Sequence, residues 1–159
     1  MKWIKALLSN LWKLYVGAVF CLTAVLLYPA FLIILALPTG KKTSFVWFVF
    51  WSRVFQVLCL YPTRNNASIS QDQTPRIYVA NHTSYLDIFL MFSHMPKNPF
   101  LFLGKGELLH YPILSSYFKN LNIPVHRKSV SKSALAYRKA IQCIEEGYSL
   151  VIFPEGGIP

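Results

Sequence analysis

The chain has 159 residues, of which 54% are hydrophobic and 14% are charged, a composition unusual for a soluble domain. Sixteen Lys and Arg residues against six Asp and Glu residues give a formal net charge of +10, which suits an anionic membrane surface or an anionic substrate. We predict no nucleic-acid partner, because the positive residues are scattered and carry no nucleic-acid-binding signature. The three cysteines fit neither a metal spacing nor an even disulfide framework.

The first apolar segment predicts a membrane helix. Residues 1–15 place tryptophan and leucine on one helical stripe and lysine opposite, as in an interfacial amphipathic helix. Residues 14–37 then run for 24 residues without a charge, enough to cross a hydrocarbon layer about 30 Å thick. We expect this segment to be retained, since a cleaved signal peptide has a shorter apolar core and a small-residue cleavage site.

A second apolar segment, residues 43–62, is rich in aromatic residues but has Arg53 at its middle. The uncharged runs on either side of Arg53 are too short to span a bilayer, which takes about 20 residues. This favours an interfacial helix, or a hairpin dipping into one leaflet, over a second crossing. We therefore predict an amphipathic and membrane-embedded two-helix region at residues 1–61. Residues 62–75, polar and bounded by two prolines, are predicted to be a linker.

Beyond the linker, short apolar runs alternate with helical patterns. Strands are predicted at residues 76–80, 100–103, 123–125 and 149–153. Helices are predicted at about residues 84–95, 107–119 and 131–146, the last one stopped by Gly147. This alternation predicts an α/β fold, a mostly parallel sheet with flanking helices. Sites in such sheets form beyond the carboxyl ends of the strands, where the distinctive segments here are Asn81-His82, His126-Arg127 and residues 154–157 (PEGG).

The segment 81–87 (NHTSYLD) is the most informative. His82, at the mouth of a strand, is able to accept a hydroxyl proton near neutral pH, and Asp87 is able to hold the other ring nitrogen. A structural alternative exists for Asp87, because residues 84–87 also fit a helix capping box. From these residues alone, a capping role and a catalytic role for Asp87 are equally well supported. We reject Ser84 as a nucleophile, since no G-x-S-x-G elbow surrounds it.

Three further segments are candidates for binding an anionic substrate. Arg127 offers a planar fork of donors to phosphate oxygens, the alternative being a solvated basic turn. Lys105, between two glycines, is a weaker candidate for the same task. Glu155 and Gly156 form either an ordinary strand exit or a cradle for the polar head of a substrate. No histidine has a metal-ligand pattern, so we predict no metal.

Taken together, these segments resemble the lysophosphatidic acid acyltransferase family of phospholipid synthesis. The histidine–four residues–aspartate motif, the arginine motif and the phenylalanine-proline-glutamate-glycine motif of that family stand here, in the same order and spacing, at residues 82–87 (HTSYLD), 123–127 (IPVHR) and 153–156 (FPEG). The amino-terminal two-helix membrane motif is also similar, so the resemblance covers nearly the whole chain. It implies a glycerophospholipid acyltransferase-like fold.

The resemblance also implies an O-acyltransferase mechanism. His82 would deprotonate the free hydroxyl of lysophosphatidic acid, which then attacks an acyl thioester of coenzyme A or acyl carrier protein and gives phosphatidic acid without a cofactor. Asp87 would orient His82, Arg127 would bind the acceptor phosphate, and Glu155 and Gly156 would shape the acceptor pocket. The partners are then membrane lipids, a lysophospholipid and the acyl carrier, at the cytoplasmic membrane with the site facing the cytoplasm.

Two features differ from the family. Residues 157–159 (GIP) stand where the family has threonine-arginine-serine, so one phosphate-binding arginine is absent. The sequence ends where the family continues, so we expect residues 76–159 to be the amino-terminal part of an acyltransferase domain. The alternatives are therefore an acyltransferase for glycerol 3-phosphate or a lyso-aminolipid, and a catalytically silent membrane-binding fragment.

Overall fold

A computed structural model describes residues 2–37, 40–64, 74–105, 115–116, 121–126 and 128–157. Two long helices come first, α1 (Lys2–Ala36) and α2 (Gly40–Leu58). The elements that follow are β1 (Ile77–Val79), α3 (Asp87–His94), β2 (Phe100–Lys105), β3 (Asn122–Val125), α4 (Val130–Glu145) and β4 (Ser149–Ile152). Each predicted strand is present within two residues of its predicted bounds, and the α/β class is confirmed. The predicted helix at residues 107–119 lies almost wholly outside the described residues.

The four strands form one parallel sheet in the order β1-β4-β2-β3. The last strand of the chain is inserted between the first two, so Val151 of β4 is in register with both Tyr78 of β1 and Phe102 of β2. Because all strands run the same way, their carboxyl ends lie at one edge. Residues that follow β1 and β4 are neighbours there, whereas β3 is the strand farthest from β1 in the sheet.

An aromatic core lies between α2, α3 and one face of the sheet. Phe92 of α3 is fully buried, with its ring centroid 5.0 Å from that of Phe48 in α2 and 4.9 Å from that of Phe100 in β2. Burying a phenylalanine side chain contributes about 1.5–3 kcal/mol, so this cluster is a major source of stability. The helix α2 is therefore part of the core of the fold. The predicted division at residues 61 and 75 stays a prediction.

The helix α1 is continuous over 35 residues, with Pro29 inside it. At 1.5 Å per residue it is about 52 Å long. Among the described residues it is the one helix long and apolar enough to cross a membrane, and 17% of its most apolar window is buried. It is joined to α2 by a hydrogen bond from Trp51 Nε1 to Thr23 Oγ1 (3.0 Å) and by the edge-on contact of Phe31 with Phe48.

The opposite face of the sheet is covered by α4. Its small residues Ala136, Ala140 and Cys143 are buried, which lets the helix lie close to β3 and β4. Ser129 caps its start by accepting a hydrogen bond from the Lys132 N–H. The helix ends before Gly147, whose φ of 89° suits glycine, and this confirms the predicted stop.

Candidate active site

The strand β1 brings His82 to the carboxyl edge of the sheet. Ala80 still pairs with β4, through its N–H to the carbonyl of Ile152 (3.1 Å), and His82 follows two residues later. The Nδ1 atom of His82 lies 3.1 Å from Oδ2 of Asp87. An imidazole whose Nδ1–H donates to a carboxylate presents the lone pair of Nε2 as an acceptor. The arrangement is therefore able to take a proton at Nε2.

Asp87 does more than contact the imidazole. Its Oδ2 also accepts hydrogen bonds from the backbone N–H groups of Thr83 (2.8 Å) and Ser84 (2.9 Å), while Ser84 Oγ accepts one from the N–H of Leu86 (3.2 Å). The helix α3 begins at Asp87, with Leu86 at the N-cap position and no side-chain cap, and the N–H of Asp87 donates to the backbone carbonyl of Ser84 (3.1 Å). The full capping box is therefore not formed, because Ser84 Oγ does not accept from Asp87. The carboxylate instead holds the turn before α3 and the ring of His82 with the same oxygen atom, and its catalytic role stays a prediction.

Phe153 makes a further contact with the imidazole. It is the first residue after β4, and its ring stacks on that of His82 with 4.2 Å between centroids and 17° between planes. In the sequence, Phe153 is notable only as the first residue of the 153–156 motif. Its contact with His82 becomes visible once β4 is known to lie beside β1, because both residues then follow neighbouring strands at the same edge.

The segment 153–156 (FPEG) forms a turn at this edge. The N–H of Gly156 donates to the carbonyl of Phe153 (3.0 Å), and the φ of Gly156 is 65°, a conformation that favours glycine. Glu155 is exposed at the tip of the turn. The ends of the first and fourth strands therefore meet as expected, with the turn held next to His82 through the ring of Phe153.

The other predicted site residues are not placed in this arrangement. Arg127 and the side chain of Lys105 lie outside the described residues, although the backbone of Lys105 ends β2 in register with Val125. The segment that leads to Arg127 follows β3, which is two strands away from β4. Among the described residues, no group of three or more His, Cys, Asp or Glu side chains could hold a metal ion.

The sequence matches the family model described as Acyltransferase over residues 63–158. Similar curated proteins include the 1-acyl-sn-glycerol-3-phosphate acyltransferases of Borreliella burgdorferi (36% identical, over 50% of this chain and 32% of that protein) and Cocos nucifera (32%, over 52% and 27%). The lyso-ornithine lipid O-acyltransferase of Pseudomonas aeruginosa is 30% identical over 52% of this chain and 31% of that protein. The chain thus spans about a quarter to a third of the length of these relatives.

The fold is shared with a solved structure. The crystal structure of the 1-acyl-sn-glycerophosphate (LPA) acyltransferase PlsC from Thermotoga maritima superposes with a TM-score of 0.71 at 22% identity, over 100% of this chain and 64% of that chain. The apolar helix α1, together with the relatives, indicates that the chain associates with membranes. With the family model covering well over half of its residues, the chain belongs to the acyltransferase family, which the three motifs had predicted.

Proposed function

We propose that the protein transfers a fatty acyl group from an acyl thioester to the free hydroxyl of lysophosphatidic acid, giving phosphatidic acid. The observation that carries this proposal is the 3.1 Å contact between His82 Nδ1 and Asp87 Oδ2, at the sheet edge that also carries the 153–156 turn. The similar proteins named as 1-acyl-sn-glycerol-3-phosphate acyltransferases support the choice of acceptor.

In the proposed reaction His82 acts first as a base and then as an acid. Nε2 takes the proton of the acceptor hydroxyl while its oxygen forms a bond to the thioester carbonyl carbon. The tetrahedral intermediate collapses, the C–S bond breaks, and the thiolate that leaves receives the proton from His82. Asp87 keeps the Nδ1–H oriented and stabilises the positive charge on the ring between the two steps. The proton and the acyl group are thereby both accounted for.

The remaining residues are proposed to bind the substrates. Arg127 would hold the acceptor phosphate, with Lys105 as a second cation. Glu155 and Gly156, in the turn beside His82, would shape the acceptor pocket. The donor is a thioester of coenzyme A or of acyl carrier protein. We propose that α1 anchors the protein in the cytoplasmic membrane with the sheet edge facing the cytoplasm, where such donors are found.

A lyso-aminolipid acceptor is the second candidate. Two observations favour it: the similarity to the lyso-ornithine lipid O-acyltransferase, and residues 157–159 (GIP), where the resembling family has a phosphate-binding arginine. An acceptor without a phosphate needs no such arginine. The two candidates share the chemistry at His82 and differ only in the head group of the acceptor.

The test is an acyl-transfer assay of wild type and the His82→Ala variant with one labelled acyl thioester and a panel of lysolipids. Loss of the base should lower the rate by about 10²–10⁴-fold, with the same protein fraction retained in carbonate-washed membranes. His94→Ala is the matched control, because His94 lies at the far end of α3. Activity of His82→Ala near that of the control would disprove the assignment. Transfer to a lyso-aminolipid alone would select the second candidate.

A further inference from the structure

The imidazole of His82 rotates about its Cβ–Cγ bond, and the contact with Asp87 restrains that rotation at one atom of the ring. The restraint is the single Nδ1···Oδ2 hydrogen bond of 3.1 Å, which leaves the faces of the ring without contact from Asp87. A proton is accepted along the Nε2 lone pair, which lies in the plane of the ring. Rotation of the ring therefore turns the lone pair away from the acceptor hydroxyl, and a second contact, on the face of the ring, would oppose that rotation.

Phe153 supplies that second contact. Its ring is nearly parallel to the imidazole, at 17°, with 4.2 Å between the centroids. The faces are in van der Waals contact, so a tilt of the imidazole drives one edge of it into Phe153. The side chain of His82 is only 13% exposed, so little of the ring meets solvent. The hydrogen bond and the stack together hold the imidazole at one edge and one face.

Phe153 also packs against the aromatic core. Phe102 of β2 is 5% exposed and stacks on Phe153 with 5.8 Å between centroids and 18° between planes. Phe92 of α3, fully buried, meets Phe102 edge-on at 5.7 Å. We call His82, Phe153, Phe102 and Phe92 the aromatic column. The column runs from the sheet edge into the core, so the plane of the imidazole is set by the sheet itself.

We propose that Phe153 is a positioning residue for His82. It sets the plane of the ring so that Nε2 points to the acceptor hydroxyl. The face of a phenyl ring also carries partial negative charge, which stabilises the positive charge that the imidazole gains when it takes the proton. The part that concerns turnover rests on the proposed function.

Three variants test this role in turnover. Phe153→Leu removes the aromatic face and keeps an apolar side chain, whereas Phe153→Tyr keeps the ring. Phe31→Leu is the control, because Phe31 is fully buried between α1 and α2 and lies outside the aromatic column. Phe153→Leu should lower kcat by about 10²-fold, the cost of a small misplacement of a catalytic group, with little change in the acceptor KM. Phe153→Tyr should restore most of the rate. Phe31→Leu should lower thermal stability and leave kcat of the folded protein nearly intact.

A second measurement needs no turnover. The ring protons of His82 lie over the face of Phe153, so its ring current should shift their NMR signals upfield in histidine-labelled protein in detergent micelles. The signals are assigned by their loss in His82→Ala. Phe153→Leu should move them downfield, and Phe153→Tyr should not.

Each result decides the proposal. Unchanged His82 signals in Phe153→Leu would overturn it, as would a wild-type kcat in that variant despite shifted signals. Shifted signals with a reduced kcat and rescue by Phe153→Tyr support it. If the wild-type protein acylates no lysolipid, the proposed function fails on its own. The NMR shift then decides alone whether the ring of Phe153 stacks on that of His82, without which Phe153 cannot position it.

Discussion

The helices α1 and α2 are both rich in apolar residues, α1 more so, yet their apolar side chains lie in different surroundings. Three of the 35 residues of α1 are buried, whereas eight of the 19 residues of α2 are buried. The buried residues of α2 include Phe45, Phe48, Trp51 and Phe55, which pack on α3 and the sheet. An apolar sequence alone therefore does not tell whether a helix contacts the membrane or packs in the protein core.

The exposed side of α2 explains how one helix serves both environments. Val46, Phe50, Arg53 and Val57 are exposed and lie on one stripe at helical spacing, opposite the core. An apolar stripe with a cation in the middle is typical of a helix at the membrane interface. We infer that α1 provides the anchor, and that α2 joins this anchor to the rigid layer that carries the site. The predictions that follow test this division of tasks.

Asp87→Asn should have the largest effect, and only on chemistry. An amide keeps an acceptor oxygen for the N–H groups of Thr83 and Ser84, but it cannot stabilise the charged imidazole. We expect kcat to fall by up to about 10⁴-fold, with an unchanged membrane fraction. Acyl-transfer kinetics and carbonate extraction give the two readouts.

Ser84→Ala is the control for Asp87→Asn, because it removes only the hydrogen bond that Ser84 Oγ accepts from the N–H of Leu86. Loss of one such hydrogen bond costs about 0.5–1.5 kcal/mol of stability, and the rate should change little. If Asp87→Asn is fully active but less stable, the carboxylate is a cap alone.

Truncation of Phe48 in α2 (Phe48→Ala) should lower the free energy of unfolding much more than truncation of an exposed residue in α1. The side chain is 2% exposed and contacts both Phe31 and Phe92, so its truncation leaves a cavity in the shared core. Such changes cost about 3–5 kcal/mol of unfolding free energy. Leu22→Ala is the control on α1, where the side chain is 61% exposed. Unfolding in detergent, followed by tryptophan fluorescence, should show a large shift for the first variant and almost none for the second. Equal shifts would place both helices in the same environment.

Arg127→Ala should weaken binding of a phosphate-bearing acceptor and leave the donor KM nearly unchanged. A charge-assisted hydrogen bond contributes roughly 1.5–3 kcal/mol, or about 10–150-fold in kcat/KM for the acceptor. Arg127→Lys should restore part of the loss, because it keeps the charge without the planar fork. Equal weakening of both substrates would indicate that Arg127 supports the fold instead.

The sequence predicted the strands of the sheet better than it predicted which side chains contact His82. The strands are short apolar runs between turn residues, so their limits follow from local pattern alone, as for residues 149–153 against the observed Ser149–Ile152. The His82–Asp87 contact was also predictable, since both residues lie on one short turn. The stack of Phe153 on His82 depends on the strand order, which no local pattern contains. The burial of Trp51 and Phe55 likewise depends on partners distant in sequence.

The smallest expected effect concerns the ion pair between the start of α2 and the end of α4. Lys41 Nζ lies 3.1 Å from Glu146 Oε2, and both side chains are about two-fifths exposed, at 42% and 37%. Burial acts to lower the pKa of Lys41, but the hydrogen bond and charge of Glu146 outweigh it and raise that pKa above 10.5. The hydrogen bond and charge of Lys41 lower the pKa of Glu146 below 4.5.

The ion pair therefore stabilises the fold at pH values between the ordinary pKa of a glutamate and that of a lysine. It is lost as the pH falls through the lowered pKa of Glu146 or rises through the raised pKa of Lys41. Glu146→Gln should lower the melting temperature slightly at neutral pH and not in about 1 M salt, where exposed charges are screened. Glu145→Gln is the matched control, with the same change of charge one residue away. If the two variants melt alike at neutral pH and low salt, the ion pair contributes nothing to stability, and the other contacts of α2, the aromatic core foremost, hold it in place.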